Sequence, residues 1–274
     1  MRKRKRKSID FYILPYLIVC ICFLVLPAAA LVVNSLKSGI VSILQVLTTS
    51  SYIEGFRNSF LLALITTAES AIAGAIVAIG WAKKAEKNGI LMAILNFGAN
   101  NGGISLAFSM IATLGTNGLL TIMLQKIGIT VLDNFQLSSF VGLNIVYVCF
   151  LVPYMAIIFL PAVANIKADW WKVAETLGSD RFRYLRKVEI PVLLPSFISC
   201  ACLVFLTSLG TYATAQAISS DRIQLVTIQI GTLVQTSVFQ KEDAYTLSFV
   251  LMIIMILIVL VYQRLNKKAG RWMK

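Results

Sequence analysis

Few residues in this chain could do chemistry, and their types exclude most enzymes. There is no histidine, which removes imidazole-held zinc sites and His-dependent nucleophilic triads. No GxxxxGK[ST] stretch occurs, so the chain has no P-loop to cradle nucleotide phosphates. The five cysteines (Cys20, Cys22, Cys149, Cys200, Cys202) stand in apolar runs. On helices the two Cys-x-Cys pairs would not face one another, and buried free thiols are the plain reading. What remains are polar groups inside greasy segments. Glu69 lies near the middle of LLALITTAESAIAGAIVAIG. A carboxylate at the bilayer centre costs about 2.5–3.5 kcal/mol on insertion scales, so it should face a bundle interior and be paired or protonated. Thr66, Ser70 and Ala73 lie one turn away and are expected on the same face. Such a carboxylate suits a cationic solute, and equally a structural bond to a neighbouring backbone group or amide.

A second cluster is NFGANNGG, residues 96–103, with Asn96, Asn100 and Asn101 among three glycines. Unpaired polar groups are expensive in hydrocarbon, so such a stretch belongs where it is buried in protein or lines a cavity. It reads either as a broken helix on a solute pathway or as close helix packing with asparagines bonding across the contact. Tyr147, Pro153 and Tyr154, and then Thr207, Ser208, Thr211, Tyr212 and Gln216, are further pathway candidates. Thr207, Thr211 and Gln216 are expected on one helical stripe, and Pro153 is expected to kink its helix.

The elements that must hold these groups follow from composition. Of 274 residues, 58% are hydrophobic and the mean hydropathy is +0.82, above the ~45–50% usual for soluble domains. The net charge of +13 is concentrated: twenty of the twenty-five Lys/Arg fall in residues 1–7, 83–87, 167–187 and 264–274. That is a positive-inside pattern and argues against nucleic-acid binding. Spans are expected at about Phe11–Val33, Phe60–Trp81, Gly89–Leu114, Phe140–Ala162, Pro191–Ala217 and Leu247–Tyr262. The first exceeds the ~7–15 residues of a signal-peptide core and reaches the ~20 of a span, so it reads as uncleaved. Residues 115–139 read as an outside segment, re-entrant or interfacial, and residues 34–59 and 219–245 also fall outside. The result is an all-α polytopic membrane protein with six transmembrane helices and both termini cytoplasmic. A basic arm (1–10) precedes the membrane domain (11–263) and a basic tail (264–274) follows it.

Between spans four and five lies ADWWKVAETLGSDRFRYLRKVEIPVLLPSF. Asp169 is expected to cap a first short helix and Gly178 to end it at positive φ. Ser179 and Asp180 are expected to cap a second, which should stop toward Pro191. Within it, KVAETLG followed after eleven residues by Ile190-Pro191 resembles the EAA loop of the permease subunits of binding-protein-dependent ABC importers. The family form is EAAxxLG followed by a spaced hydrophobic residue and Pro; Lys172 stands where Glu is usual and Val173 where the first Ala is usual. The next most similar feature is GISLAFSMIATLGTNGLLT, which is similar to permeases of the polyamine, opine, phosphonate and ferric-iron type.

The resemblance implies a type I ABC importer permease whose loop, residues 166–190, inserts a helix into a groove of a separate ATPase. Ala174, Leu177, Gly178, Val173 and Trp171 are then the coupling residues, with Trp170 beside them. Arg181, Arg183, Arg186 and Lys187 are assigned to lipid phosphates. It further implies two ATP-binding subunits that hold ATP and Mg, and an extracytoplasmic solute-binding protein. A second permease, identical or homologous, completes the assembly. This chain itself is expected to hold no cofactor or metal and to catalyse nothing. Glu69, Asn96, Asn100, Asn101, Tyr154, Thr207 and Thr211 are the pathway set, and a polyamine is the first solute expected, with phosphonate or ferric iron as alternatives. A secondary transporter or channel coupled through Glu69, and a membrane anchor without transport, are the rivals from other classes.

Overall fold

The computed structural model describes residues 15–37, 39–85, 89–128, 135–166, 168–219, 222–236 and 241–269. The basic arm, the start of the first expected span, Lys167, residues 129–134 and the end of the tail therefore lie outside the described residues. Every regular element among the described residues is helical. Among the described residues six segments are long and apolar enough to cross a membrane: Pro15–Lys37, Ser50–Trp81, Ile104–Lys126, Phe140–Ala164, Arg181–Gly210 and Glu242–Arg264.

The helices are labelled in chain order: α1 (Pro15–Lys37), with a π-turn at Ile21–Val25, α2 (Gly39–Thr48), α3 (Ser50–Ala85), α4 (Gly89–Asn100), α5 (Ile104–Leu114) and α6 (Leu119–Lys126). Then come α7 (Phe140–Ala164), α8 (Ala168–Thr176), α9 (Arg181–Gly210), α10 (Ala213–Ser219), α11 (Val226–Thr236) and α12 (Lys241–Ala269).

The third span differs from the expectation. Gly89–Leu114 is two helices, α4 and α5, because residues 101–103 leave the helix at Gly103, which takes φ +78°; that conformation is open to glycine and strained for a side chain. The apolar length instead runs on from α5 through α6, leaving α4 as a shorter apolar helix. The fifth span also ends early, at Gly210, with Thr211 extended and α10 following separately. Gln216 therefore does not continue the Thr207–Thr211 stripe. Pro153 and Pro161 sit inside α7, which runs through both as one helix.

The chain divides into two compact units. One comprises Met1–Ile53 with Gln229–Ile254. In it Gln229 Nε2 donates to the Ser51 carbonyl at 2.7 Å, and Tyr52 Oη donates to Asp243 at 3.4 Å. The other comprises Glu54–Ile228 with Met255–Lys274. Its core is built on α7, the most central helix, whose Leu143, Val146, Tyr147, Leu151, Met155 and Phe159 are buried. Small residues of α3 (Ala71, Ala75, Ala78) and α9 side chains (Leu193, Cys200, Val204) close on it. At about 25 cal/mol per Å² of apolar surface, this packing supplies the stabilisation wherever helix faces are withdrawn from their surroundings.

Candidate functional site

The loop between α7 and α9 folds as a compact hairpin of helices. α8 ends in a Schellman turn: Ser179 N–H donates to the Ala174 carbonyl and Gly178 N–H to the Glu175 carbonyl, both at 2.9 Å. Gly178 carries φ +75°, the left-handed conformation this closure requires. Asp180 then caps α9, its carboxylate accepting from Arg183 N–H at 2.6 Å. Two expectations need correction. Asp169 lies inside the first turn of α8, where its negative charge favours the helix N-terminus, and it pairs with Lys172 at 2.9 Å. Pro191 does not stop a helix. The backbone widens into a π-turn over Leu185–Glu189, with Ile190 N–H reaching back to the Leu185 carbonyl. That extra residue per turn accommodates the proline ring at the start of the following α-helical stretch.

Side chains sort cleanly on α8. Trp170, Val173, Ala174 and Leu177 recur at i, i+3, i+4 and i+7, which places them on one face. Leu177 is 82% exposed, Val173 59% and Trp170 39%, an apolar strip left open by the described residues. Trp171, grouped with the coupling residues on sequence, is turned the other way. Its ring meets that of Tyr184 edge-on, with centroids 5.3 Å apart, and the Arg181 guanidinium sits 4.8 Å above it. Tyr184 is buried. Trp171 therefore clasps α8 to the start of α9 through an aromatic pair and a cation–π contact, and Arg181 serves the fold. Sequence reading missed Tyr184, whose only signal was one aromatic among basic residues.

The expected pathway residues fall into two sets. In the first, the break at residues 101–103 is held by Thr214, which sequence reading passed over. The Thr214 hydroxyl accepts from Gly103 N–H at 2.9 Å and donates to the Gly103 carbonyl at 3.1 Å. It is fully buried and answers the freed Gly103 N–H, while the Gly103 carbonyl also accepts from Ala107 N–H at 3.2 Å at the start of α5. Thr214 follows the second break directly. There the freed Thr211 carbonyl accepts from Tyr147 Oη at 3.1 Å and from Thr227 Oγ1 at 3.3 Å. The α4–α5 break and the α9–α10 break are thus tied together. Thr207 and Thr211 themselves bond back to carbonyls one turn earlier, and the buried Gln216 Oε1 has no hydrogen-bond partner among the described residues.

The second set centres on Glu69. It is paired as expected, with Asn144 Nδ2 donating to Oε2 at 2.9 Å. It does not face the bundle interior: Glu69 is on the exposed side of α3, between the exposed Ile65 and Ile72. Thr66 and Ser70 are buried on the other side, where Thr66 Oγ1 lies 2.8 Å from Ser208 Oγ. The helix repeat sets Thr66 about 60° and Ser70 about 100° round from Glu69 in the same sense, so the two share the adjoining buried face and Glu69 falls outside it. No hydrogen bond among the described residues joins Glu69 to the asparagine stretch or to Thr207 and Thr211. Tyr154 packs against the core of α7. Asn144, a lone amide in an apolar run, gave the same sequence signal as Glu69 but was not singled out. Among the described residues no group of three or more His, Cys, Asp or Glu could hold a metal ion.

An all-α fold with six membrane-length segments, broken helices tied at one level and an exposed helix between spans four and five defines a polytopic membrane permease. The chain belongs to the family described as the binding-protein-dependent transport system inner membrane component, whose pattern matches residues 3–274. Its fold is similar to a chain of the bacterial ABC transporter involved in import of the acidic polysaccharide alginate: TM-score 0.75, 16% identity, covering 97% of this chain and 98% of that one. A chain of the MetNI methionine ABC transporter gives TM-score 0.60 at 17% identity, over 79% and 95% of the two chains. Among curated proteins, the spermidine/putrescine permease PotB of Haemophilus influenzae is 24% identical over 66% of this chain and 63% of its own length. PotC of the same organism is 24% identical over 47% and 50%, and the molybdenum transport permease ModB of Mycobacterium tuberculosis is 29% identical over 58% and 57%. The matched stretch thus spans about three-fifths of PotB and half of PotC.

Proposed function

We propose that this chain forms the solute pathway of an ATP-driven importer and couples it to separate ATPase subunits through α8. The observation that carries the reading is the uncovered apolar strip Trp170–Val173–Ala174–Leu177 on a rigidly closed helix between two spans. Burying a Leu of that exposure in a partner groove is worth about 1.5–3 kcal/mol. A Schellman turn and the Trp171–Tyr184–Arg181 clasp make α8 a stiff lever on α9, so a push on the strip moves a membrane helix rather than bending a loop. Val173, Ala174 and Leu177 are the contact residues, Gly178 sets the turn, and Trp171 transmits rather than touches. The partners are two ATP-binding subunits that bind ATP and Mg, a second permease, and an extracytoplasmic solute-binding protein. ATP-driven closure of the ATPase pair would drive the two coupling helices together and rock the spans from inward- to outward-facing. The clustered Lys/Arg of the sequence support a cytoplasmic side for both termini and α8.

For the solute, a small polar cation of the polyamine kind is supported by the names of the two spermidine/putrescine relatives and by a membrane-depth carboxylate, Glu69. The test is co-purification of the ATPase subunits and uptake with Leu177→Glu. Normal membrane levels with loss of ATPase retention and uptake are expected; full uptake by that variant refutes the coupling role.

A further inference from the structure

Within one unit of the chain, α9 and α12 meet near their basic ends but do not close on each other. A polar knot joins them there. Ser199 Oγ donates to the Pro195 carbonyl at 2.7 Å, so its contact with Tyr262 is made by the Tyr262 hydroxyl donating to it. Asn266 Nδ2 then donates to Tyr262 Oη at 2.9 Å and to Ser199 Oγ at 3.3 Å. One turn deeper, α9 presents only the small side chains of Ala201 and Cys202. They leave a groove of about 430 Å³ facing Leu257, Ile258 and Val261 of α12. Phe205 ends the groove, braced edge-on by Phe60 of α3 with ring centroids 5.3 Å apart. The knot fixes the spacing of the two helices and the aromatic pair fixes the deep end, so the gap persists.

What can fill it follows from where it opens. Ile198, Leu203, Leu257 and Val261 are all exposed around it, on segments long and apolar enough to cross a membrane. An occupant therefore arrives from hydrocarbon, and a polar solute is excluded. From Ile198 to Phe205 is about 10 Å of helix, two-thirds of the ~15 Å that the chains of one leaflet span. Over that length the volume leaves a cross-section of about 40 Å², well short of a helix ~10–12 Å across. A charge stands at the mouth. The Leu257–Val261 edge of α12 continues at helical spacing to Arg264, which is exposed and has no hydrogen bond or ion pair among the described residues. Arg264 begins a tail with five Lys/Arg in residues 264–274, a juxtamembrane pattern that attracts anionic headgroups.

We propose that this groove holds one acyl chain of an anionic phospholipid, whose phosphate is bound by Arg264 at the membrane surface. The apolar walls bury the chain, and the guanidinium selects the headgroup by pairing with phosphate through parallel N–H donors. The site is separate from solute contact and from α8, so its failure leaves the coupling reading untouched.

The test is native mass spectrometry of the purified assembly in detergent carrying equal phosphatidylglycerol and phosphatidylcholine. The unsubstituted complex is expected to retain phosphatidylglycerol about tenfold over phosphatidylcholine, the discrimination of one charge-assisted hydrogen bond. Arg264→Gln, a surface change, should bring the two within about twofold. Lys274→Gln removes the same charge ten residues on and should keep the preference. Ala201→Phe fills the groove and should lose the retained lipid of either kind, with its melting temperature measured alongside. Equal retention of the two lipids by the unsubstituted complex overturns the site. So does the same loss with Lys274→Gln, which would mean surface charge only. A preference unchanged by Arg264→Gln overturns the headgroup assignment. An Ala201→Phe chain that melts normally and keeps its lipid overturns the groove, as does release of the second permease by that variant, which would make a protein helix the occupant. If Ala201→Phe melts early, the contrast between Arg264→Gln and Lys274→Gln decides alone.

Discussion

Leu177 is the residue most exposed to test. With 82% of its surface free, its truncation removes nothing from this chain's own packing. Leu177→Ala is expected to leave thermal unfolding unchanged while weakening ATPase binding by about 2 kcal/mol, some thirtyfold, measured by titrating purified ATPase subunits. Thr214 is the opposite case. Thr214→Val keeps the shape and strands the Gly103 N–H, while the carbonyl still accepts from Ala107 N–H at 3.2 Å; one unsatisfied buried group costs about 1–3 kcal/mol. A clear fall in Tm in detergent is expected, and an unchanged Tm would show that the break is held some other way. At Glu69 two substitutions separate roles. Glu69→Gln keeps an oxygen for Asn144 Nδ2, so Tm should hold while diamine uptake falls if the carboxylate meets the solute. Unchanged uptake kinetics at normal protein level would assign Glu69 to the Asn144 contact alone.

Among elements, α8 and its turn act as a unit. The Trp171 ring is worth about 0.5–1.5 kcal/mol against Tyr184 and about 0.5–1 kcal/mol under Arg181. Trp171→Ala should therefore loosen the lever without deleting the exposed strip: ATPase subunits stay bound, and ATP hydrolysis runs on with less solute moved per ATP. Unaltered coupling would count against a rigid lever. Gly178→Ala meets no neighbour within 4 Å, so its penalty is conformational, about 1–3 kcal/mol for a side chain in the left-handed region. The π-turn at Leu185–Glu189 carries α9 past Pro191 without a break, as one helix that continues to Gly210.

At the scale of the whole molecule, one unit of the chain holds both the loop with α8 and the two helix breaks. Uptake in reconstituted vesicles should require this chain together with ATPase subunits, a second permease and the binding protein. Solute accumulation by the chain without ATP would instead favour a secondary transporter.

The sequence by itself determined the class. Spans are read from apolar length and the loops from clustered Lys/Arg, because hydrocarbon and charge act on each segment independently of its neighbours. The glycine-ended loop was equally legible: Ala174, Leu177 and Gly178 occupy a local turn whose chemistry needs no tertiary partner. Only the tertiary structure decided which way side chains face. Trp171 went inward because Tyr184 and Arg181 stand beside it, and Glu69 went outward because Thr66 and Ser70 found Ser208 and the core. Thr214 and Asn144 acquired their places from partners more than seventy residues away. Such pairings are set by which helix faces pack together, and no local pattern in the chain carries that information.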